Sequence, residues 1–313
     1  MVNVAPFSGT DAGAATLVLR GHDGARLVAD SWGDERAPAV LLLHGFGQAR
    51  HTWRETGASL AAAGYRAVAP DARGHGDSGW APDGRYALDD FVADARAIAA
   101  GLDGPAVVGA SMGGLAGMLA EAESPGAACR ALVLVDIAPR WRERGVARIL
   151  AFMRAHPEGF ASLDEASRAV TEYLPHRQAR RAAEGLRRYL RADDRGRLVW
   201  HWDPRLLDQV GPEAAPYHDR LMAAARALAC PTLLVTGELS DVVGDEAAAE
   251  FLEAAPHARH VSVPGAAHMV AGDANEAFTD SVLAFLQRTM PAPDPGTHGP
   301  TGPRGPGDGM AGG

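Results

Sequence analysis

Short, continuously apolar segments recur along the chain and constrain its fold more than any other feature. The first, AVLLLHG at 39–45, shows no polar alternation. Such a run is typical of a strand buried on both faces of a mostly parallel sheet. Ala-rich segments with helical periodicity lie between several of these runs, which predicts an α/β fold with right-handed crossovers. The predicted strands are 39–45, 66–70, 105–109, 131–136, 231–237 and 259–263, and the predicted helices are 52–63, 89–100, 113–123 and 275–288.

Three parts of the chain depart from this alternation. Residues 15–21 and 25–32 flank a His-Asp-Gly turn and predict a β-hairpin ahead of the first buried strand. From 137 to 223, Arg-rich amphipathic stretches broken by X-Pro pairs replace the buried strands and predict a helical cap, or lid. The Pro/Gly-rich end of the chain lacks a collagen period and is predicted to be disordered. The predicted domains are 1–136 with 224–290 for the core, 137–223 for the cap and 291–313 for the tail.

Composition narrows the class of protein. The net charge of -9 argues against a general binder of nucleic acid or another polyanion. Cys129 and Cys230 each lie beside an apolar run, so we expect both to be buried, reduced thiols. The N-terminus lacks the pattern of a secretory signal, and no apolar run approaches the length of a membrane span. We therefore expect a cytoplasmic monomer or homodimer that acts on a small molecule, with no nucleic-acid or membrane partner.

The most informative motif is VVGASMGG at 107–114, which has the form G-x-S-x-G. It directly follows an apolar strand and directly precedes a helical pattern. A nucleophile on a sharp strand-to-helix turn needs flanking glycines, here Gly109 and Gly113, because the backbone segments approach closely. The turn exposes the Ser111 hydroxyl at a helix N-terminus, where developing negative charge is stabilised. The alternative is a serine that caps the helix of an ordinary βα loop.

With these motifs in this order, residues 39–290 resemble the α/β-hydrolase superfamily over almost their whole length. The section 105–139 is similar to the broad esterase/lactonase group of small bacterial capped hydrolases. The resemblance implies a mostly parallel central sheet with helices on both faces and a catalytic triad in the chain order Ser, acid, His. It implies no cofactor and no metal ion.

The base and the acid must lie in loops at the same edge of the sheet as Ser111. His268 lies in a Gly-containing loop after the last apolar strand and is the predicted base. The resemblance places the acid at Asp241, in the pattern Gly-x-x-x-Asp after a buried strand. Glu238 is a local competitor, better suited to a turn or an ion pair. Asp136, at the end of the preceding strand, is the other rival, because some members of the superfamily carry the acid there.

The oxyanion hole is predicted from His44-Gly45-Phe46-Gly47-Gln48, which follows the first buried strand. In the family pattern the residue after His-Gly and the residue after the nucleophile each donate a backbone N–H, here from Phe46 and Met112. Each such donor contributes about 10²–10³ to the rate. We expect His44 to brace the loop without reacting. Asp71 and Arg73, in a loop that also resembles the family's, are expected to tie loops together, in preference to a metal site formed by Asp71, His75 and Asp77.

The pocket walls are expected to come largely from the cap, which is rich in aromatic residues although the chain is only 6% aromatic. Most of these side chains are expected to form the cap's own small core. Together they favour an apolar or aromatic substrate over a sugar or a peptide. The candidate pocket residues are Trp53, Trp141, Phe152 and Tyr189.

The residue at position 111 also narrows the chemistry. Relatives that open epoxides or displace halide use Asp as nucleophile, whereas Ser forms an acyl-enzyme. The leading prediction is therefore a carboxylic-ester or lactone hydrolase. A C–C bond hydrolase or a cofactor-free perhydrolase would use the same triad and stays open, as does a non-catalytic, receptor-like use of the fold.

Overall fold

The structure is a computed structural model that describes residues 13–126, 128–173, 185–211, 213, 215–268 and 275–292. The predicted disordered tail lies outside the described residues except for its first two. The strands are β1 Ala15–Arg20, β2 Arg26–Trp32, β3 Ala39–Leu43, β4 Arg66–Pro70, β5 Ala106–Ala110, β6 Ala131–Val135, β7 Leu190–Ala192, β8 Leu198–Trp200, β9 Thr232–Gly237 and β10 Arg259–Val263. The helices are α1 Arg54–Ala62, α2 Leu88–Ala100, α3 Met112–Ala122, α4 Glu143–Arg154, α5 Leu163–Tyr173, α6 Ala215–Ala227, α7 Asp245–Ala254 and α8 Asn275–Thr289.

The central sheet has eight strands in the order β1-β2-β4-β3-β5-β6-β9-β10. The first two strands form the predicted antiparallel hairpin, and β2 pairs antiparallel with β4. The other six strands run parallel, from β4 through β10. The order reverses direction at β3, so the loops after β3 and β5 meet at the carboxyl edge, where open α/β sheets bind their ligands. The predicted α/β architecture is confirmed.

Burial explains why the apolar runs form central strands. Every residue of β3, β6 and β9 is buried, because helices cover both faces of the sheet. Apolar side chains divide between two core clusters. Leu41 and Leu43 belong to one, with α2 and α3, whereas Val40 and Leu42 belong to the other, with α1 and α8. This division by alternate residues follows from the period of two in a strand.

The segment between β6 and β9 carries α4 and α5, as predicted, but it also contains strands. β7 and β8 pair as a short antiparallel hairpin, and Phe160 bridges to Leu198 of β8. The prediction of an insertion made only of helices is therefore incomplete, because strands of three residues are too short to show a periodicity. Helix α6 runs across the predicted boundary at 223–224 and contacts α3 and α7 of the core.

Within the described ranges, none of the helices combines the length and the apolar character that crossing a membrane requires.

Candidate active site

Ser111 lies on a sharp turn between β5 and α3. Its φ is +48°, in the left-handed region that residues other than glycine rarely adopt. The Ser111 N–H donates to the Val135 carbonyl of β6 at 3.0 Å, and the Ser111 carbonyl accepts from the N–H groups of Gly114 and Leu115 in the first turn of α3. The backbone is thus held on both sides of a strained residue, as a nucleophile elbow requires.

The glycines of the motif are required by close backbone contacts. A β-carbon on Gly109 would collide with the backbone of Gly113 and Gly114, and one on Gly113 would lie 2.5 Å from the Leu43 carbonyl oxygen. These distances are far below van der Waals contact. The sequence around Ser111 is therefore set by the packing of α3 against the end of β3.

His268 is bound to Asp136. Its Nδ1–H donates to Asp136 Oδ2 at 2.7 Å, and the Asp136 side chain is 0% exposed. Asp136 Oδ1 accepts the Gly237 N–H at 3.1 Å, and Oδ2 also accepts the Ser240 hydroxyl at 2.6 Å. Donors therefore compensate the burial of this carboxylate. Since Asp136 directly follows Val135, the bond from Ser111 to Val135 shows that Asp136 and Ser111 follow adjacent strands.

The prediction that Asp241 orients His268 is wrong. Asp241 lies in the loop after β9 and forms an ion pair with Arg148 of α4 at 3.5 Å, with 38% of its side chain exposed. Asp136 ends β6 and takes the position beside His268 instead. Glu238, the other rival, accepts the Gly265 N–H at 2.8 Å and so fits the predicted turn role.

Sequence reasoning missed the part that Ser240 plays at the acid. Its hydroxyl donates to Asp136 and accepts the N–H groups of Val242 and Val243, each at 3.1 Å. One side chain thus fixes both the carboxylate and the loop that follows β9. The only sequence signal is a small hydroxyl residue three positions after Gly237, the last residue of a buried strand, and such a residue is too common to be diagnostic.

The predicted oxyanion loop packs directly against Ser111, the predicted nucleophile. A β-carbon on Gly45 would lie 3.2 Å from Ser111 Cβ, which is tighter than ordinary van der Waals contact, so glycine favours this close approach. The Gly45 N–H donates to Gln48 Oε1 at 2.9 Å, which closes the loop on itself. Within the described ranges, neither the Phe46 N–H nor the Met112 N–H is paired with an acceptor, so both are available to a ligand oxygen.

His44 braces this loop, as expected. Its Nδ1–H donates to the Gly45 carbonyl at 2.8 Å, and its Nε2 accepts the Ala72 N–H at 2.9 Å. This pattern requires the neutral imidazole with the proton on Nδ1. Burial lowers the pKa of His44 below its ordinary value, which maintains that form.

Comparison with known proteins places the chain in a family. The family model of the alpha/beta hydrolase fold matches residues 38–274. The chain belongs to the α/β-hydrolase family. The esterase Rv0045c of Mycobacterium tuberculosis is 32% identical to this hydrolase over 269 residues, which are 82% of this chain and 84% of that protein. The 3-hydroxybutyrate-oligomer hydrolase of Cupriavidus necator is 32% identical over 259 residues, 78% of this chain and 87% of that protein.

Comparison with solved structures gives the same fold. The crystal structure of an alpha/beta hydrolase from Novosphingobium aromaticivorans superposes on this hydrolase with a TM-score of 0.75 and 26% sequence identity, and the match covers 90% of this chain and 100% of that one. The predicted resemblance and fold class are therefore confirmed. The protein is an esterase-like α/β hydrolase.

Of the four residues predicted to line the pocket, Trp53 is the one for which the prediction is wrong. The side chain is 0% exposed and packs in the core cluster with α1 and α8, with its ring 6.1 Å from that of Phe278. It is a core residue of the hydrolase and does not line a pocket. Trp141 is also buried, within the cluster that extends from the sheet into the inserted segment.

Phe152 and Tyr189 are half-buried and remain candidates. Phe152 stacks on Tyr173 with ring centroids 4.1 Å apart and meets Trp200 edge-on at 5.7 Å. The Tyr189 hydroxyl lies 3.1 Å from Thr52 Oγ1, so this side chain connects the inserted segment to the residues that follow the oxyanion loop. The aromatic residues of the insertion thus pack mainly against each other, as expected.

Asp71 and Arg73 connect loops of the hydrolase, as expected. Asp71 accepts the N–H groups of Arg50 and Asp77, at 2.7 and 2.9 Å. Arg73 donates to Asp94 Oδ2 at 2.6 Å and to Asp23. Among the described residues, only His22, Asp23 and Asp94 cluster closely enough to ligate a metal ion. The Arg73 guanidinium already pairs with both carboxylates, so this group is an ion-pair network.

Proposed function

We propose that the protein hydrolyses carboxylic esters or lactones through an acyl-enzyme on Ser111, with His268 as general base and Asp136 as the carboxylate that orients it. The bond from His268 Nδ1 to the buried Asp136, on the strand next to the elbow, carries this proposal. It leaves Nε2 of the same ring as the proton acceptor, which is the arrangement that serine catalysis requires.

In the proposed reaction the Ser111 hydroxyl oxygen attacks the ester carbonyl while its proton passes to His268 Nε2. The oxyanion accepts the Phe46 and Met112 N–H groups. The tetrahedral adduct then collapses, the C–O bond to the alcohol breaks, and His268 returns the proton to the leaving oxygen. Water attacks the acyl-enzyme by the same steps and releases the acid. Asp136 stays ionised and stabilises the imidazolium in both halves.

The substrate class that we propose is a small ester or lactone with an apolar or aromatic acyl group. The names of the similar proteins, an esterase and a 3-hydroxybutyrate-oligomer hydrolase, support the choice of ester bonds. The half-buried aromatic rings of Phe152 and Tyr189 in the inserted segment support an apolar group.

The test is a panel of short and long aryl esters, lactones and β-diketones, given to the wild type and to Ser111→Ala. We expect ester or lactone turnover that falls by at least about 10³-fold in the variant, because attack then depends on water alone. Ser124→Ala, at the far end of α3, is the matched control and should retain full activity. Turnover that is undiminished in Ser111→Ala would refute the mechanism. Preferential cleavage of the diketones would show that the substrate is a β-diketone and not an ester.

A further inference from the structure

Three buried imidazoles lie in a row between the oxyanion loop and the inserted segment. His44 belongs to the oxyanion loop, His75 to the loop after β4, and His201 to the segment after β8. The ring centroids of His44 and His75 are 5.1 Å apart, and those of His75 and His201 are 6.2 Å apart. All three side chains are at most 2% exposed. The mechanism proposed above uses none of these rings as acid or base.

Two of these rings fix the peptide groups on either side of Phe46. His44 donates to the Gly45 carbonyl at 2.8 Å, which belongs to the same planar peptide as the Phe46 N–H. His75 Nε2 accepts the Gly47 N–H at 3.1 Å, which belongs to the next peptide. With both planes held, the direction of the Phe46 N–H is determined.

The His75 ring is itself held in one tautomer. Its Nδ1–H donates to the Arg73 carbonyl at 3.0 Å, so Nε2 carries the lone pair that Gly47 needs. Burial, reinforced by the neighbouring His44, lowers the pKa of His75 to about 3. The His75 ring therefore stays a neutral acceptor at neutral pH.

The inserted segment holds the backbone on both sides of His75. His201 Nδ1 accepts the Gly76 N–H at 2.7 Å, and the Asp203 N–H donates to the Gly74 carbonyl at 2.8 Å. Both glycines have a positive φ, +74° and +53°, which glycine adopts without strain. Because glycine has access to many other conformations as well, the two hydrogen bonds favour this one. Burial lowers the pKa of His201 well below its ordinary value, which preserves its acceptor.

We propose that His75 is a positioning residue for the oxyanion hole. We further propose that His201 couples the position of the inserted segment to the position of His75. This inference rests on the proposed function, because it assigns His75 to the oxyanion hole of that same site. The inserted segment thereby contributes to the rate of the reaction as well as to the shape of the pocket.

Two substitutions of His75 separate this role from simple packing. In His75→Gln the side-chain oxygen can occupy the place of Nε2 and still accept the Gly47 N–H. In His75→Asn the amide can replace only Nδ1, so the local bond to Arg73 is kept and the bond to the oxyanion loop is lost. A structural role would make both variants similar, or Gln the worse of the two.

We expect His75→Asn to lower kcat by about 10- to 100-fold with KM changed less than about threefold, because misplacing a catalytic donor by 1 Å has effects of this size. The inhibition constant of phenylboronic acid, whose Ser111 adduct places an oxygen in the oxyanion hole, should rise by a similar factor. His75→Gln should stay within about fivefold of the wild type in both measurements. His260→Gln is the control, since that imidazole binds Thr236 at 2.8 Å on the edge strand.

The link to the inserted segment is tested by a double-mutant cycle. His201→Leu removes the acceptor for Gly76 and should lower kcat, whereas His201→Asn keeps an acceptor near Nδ1 and should not. Combined with His75→Asn, His201→Leu should add little, because both act through the same loop. Additive effects would overturn the link, and equal kinetics of His75→Asn and the wild type would overturn the positioning role. Absence of Ser111-dependent turnover in the wild type would instead refute the proposed function.

Discussion

Asp136 and Asp241 follow neighbouring strands at the same edge of the sheet, yet their surroundings differ completely. Asp136 is enclosed and accepts hydrogen bonds from Gly237, Ser240 and His268. Asp241 is 38% exposed and pairs with Arg148, whose side chain is 55% exposed. The difference arises from the turn after each strand. Asp136 has a φ of +48°, which holds its side chain in the interior, whereas Asp241 lies further along an outer loop.

The comparison shows what an orienting carboxylate requires. A carboxylate that loses its water on burial needs fixed hydrogen-bond donors in place of that water. Backbone and hydroxyl donors supply this at Asp136. An exposed ion pair such as Asp241 with Arg148 is screened by solvent and contributes little, typically below about 1 kcal/mol. Three substitutions examine this difference, in decreasing order of expected effect.

Asp136→Asn should have the largest effect. The amide nitrogen would face His268 Nδ1 and select the tautomer with the proton on Nε2, which cannot accept the Ser111 proton. We expect kcat to fall by about 10³- to 10⁴-fold, measured with an aryl ester. The far-UV circular dichroism spectrum should be unchanged, since Asn has nearly the same shape. Activity within tenfold of the wild type would show that another group orients His268.

Ser240→Ala should have an intermediate effect. It removes one donor to Asp136 and the acceptor for two backbone N–H groups of the following loop. We expect kcat to fall by about fivefold to twentyfold and the free energy of unfolding to fall by about 1–3 kcal/mol, because buried donors lose their partner. Ser240→Thr keeps the hydroxyl and is the control. If Ala and Thr behave alike in urea unfolding and in kcat, the hydroxyl does not support the acid.

Asp241→Asn should have the smallest effect. It removes only a partly exposed charge pair with Arg148, so kcat should change less than about twofold and stability by less than about 1 kcal/mol. Arg148→Gln removes the same pair from the other side and should match it. A loss in kcat of about 10³-fold, the size expected of a triad carboxylate, would reverse the comparison and make Asp241 the acid after all.

The sequence was sufficient for features that depend on neighbouring residues. The inner parallel strands were predictable because burial on both faces removes polar residues from consecutive positions, as in β3, whereas the edge strand β10 is mostly exposed. The sharp turn at Ser111 was predictable because the strand, the turn, the glycines and the helix are contiguous in the sequence. The bracing role of His44 was likewise local, since one of its partners is the next residue, Gly45.

Features that depend on distant contacts were not predictable in the same way. Asp136 and Asp241 both follow a buried strand, and only the fold shows which of them His268 meets, 132 residues along the chain. Trp53 follows the oxyanion loop in sequence, but its side chain points to the opposite core, against α8. The sequence marked His75 only as a possible metal ligand beside Asp71 and Asp77, and it did not distinguish His201 from the other histidines. The structure places the two rings 6.2 Å apart.

The position of Asp136 has a consequence for how the molecule can be varied. Ser111 follows β5 and Asp136 follows β6, so both belong to the β5–α3–β6 unit, and the inserted segment begins only after Asp136. The geometry between Ser111 and Asp136 therefore does not depend on the length of the insertion. A transplanted insertion would need to supply an acceptor for the Gly76 N–H, a donor for the Gly74 carbonyl and partners for Tyr86 in place of Asp203 and Gln209.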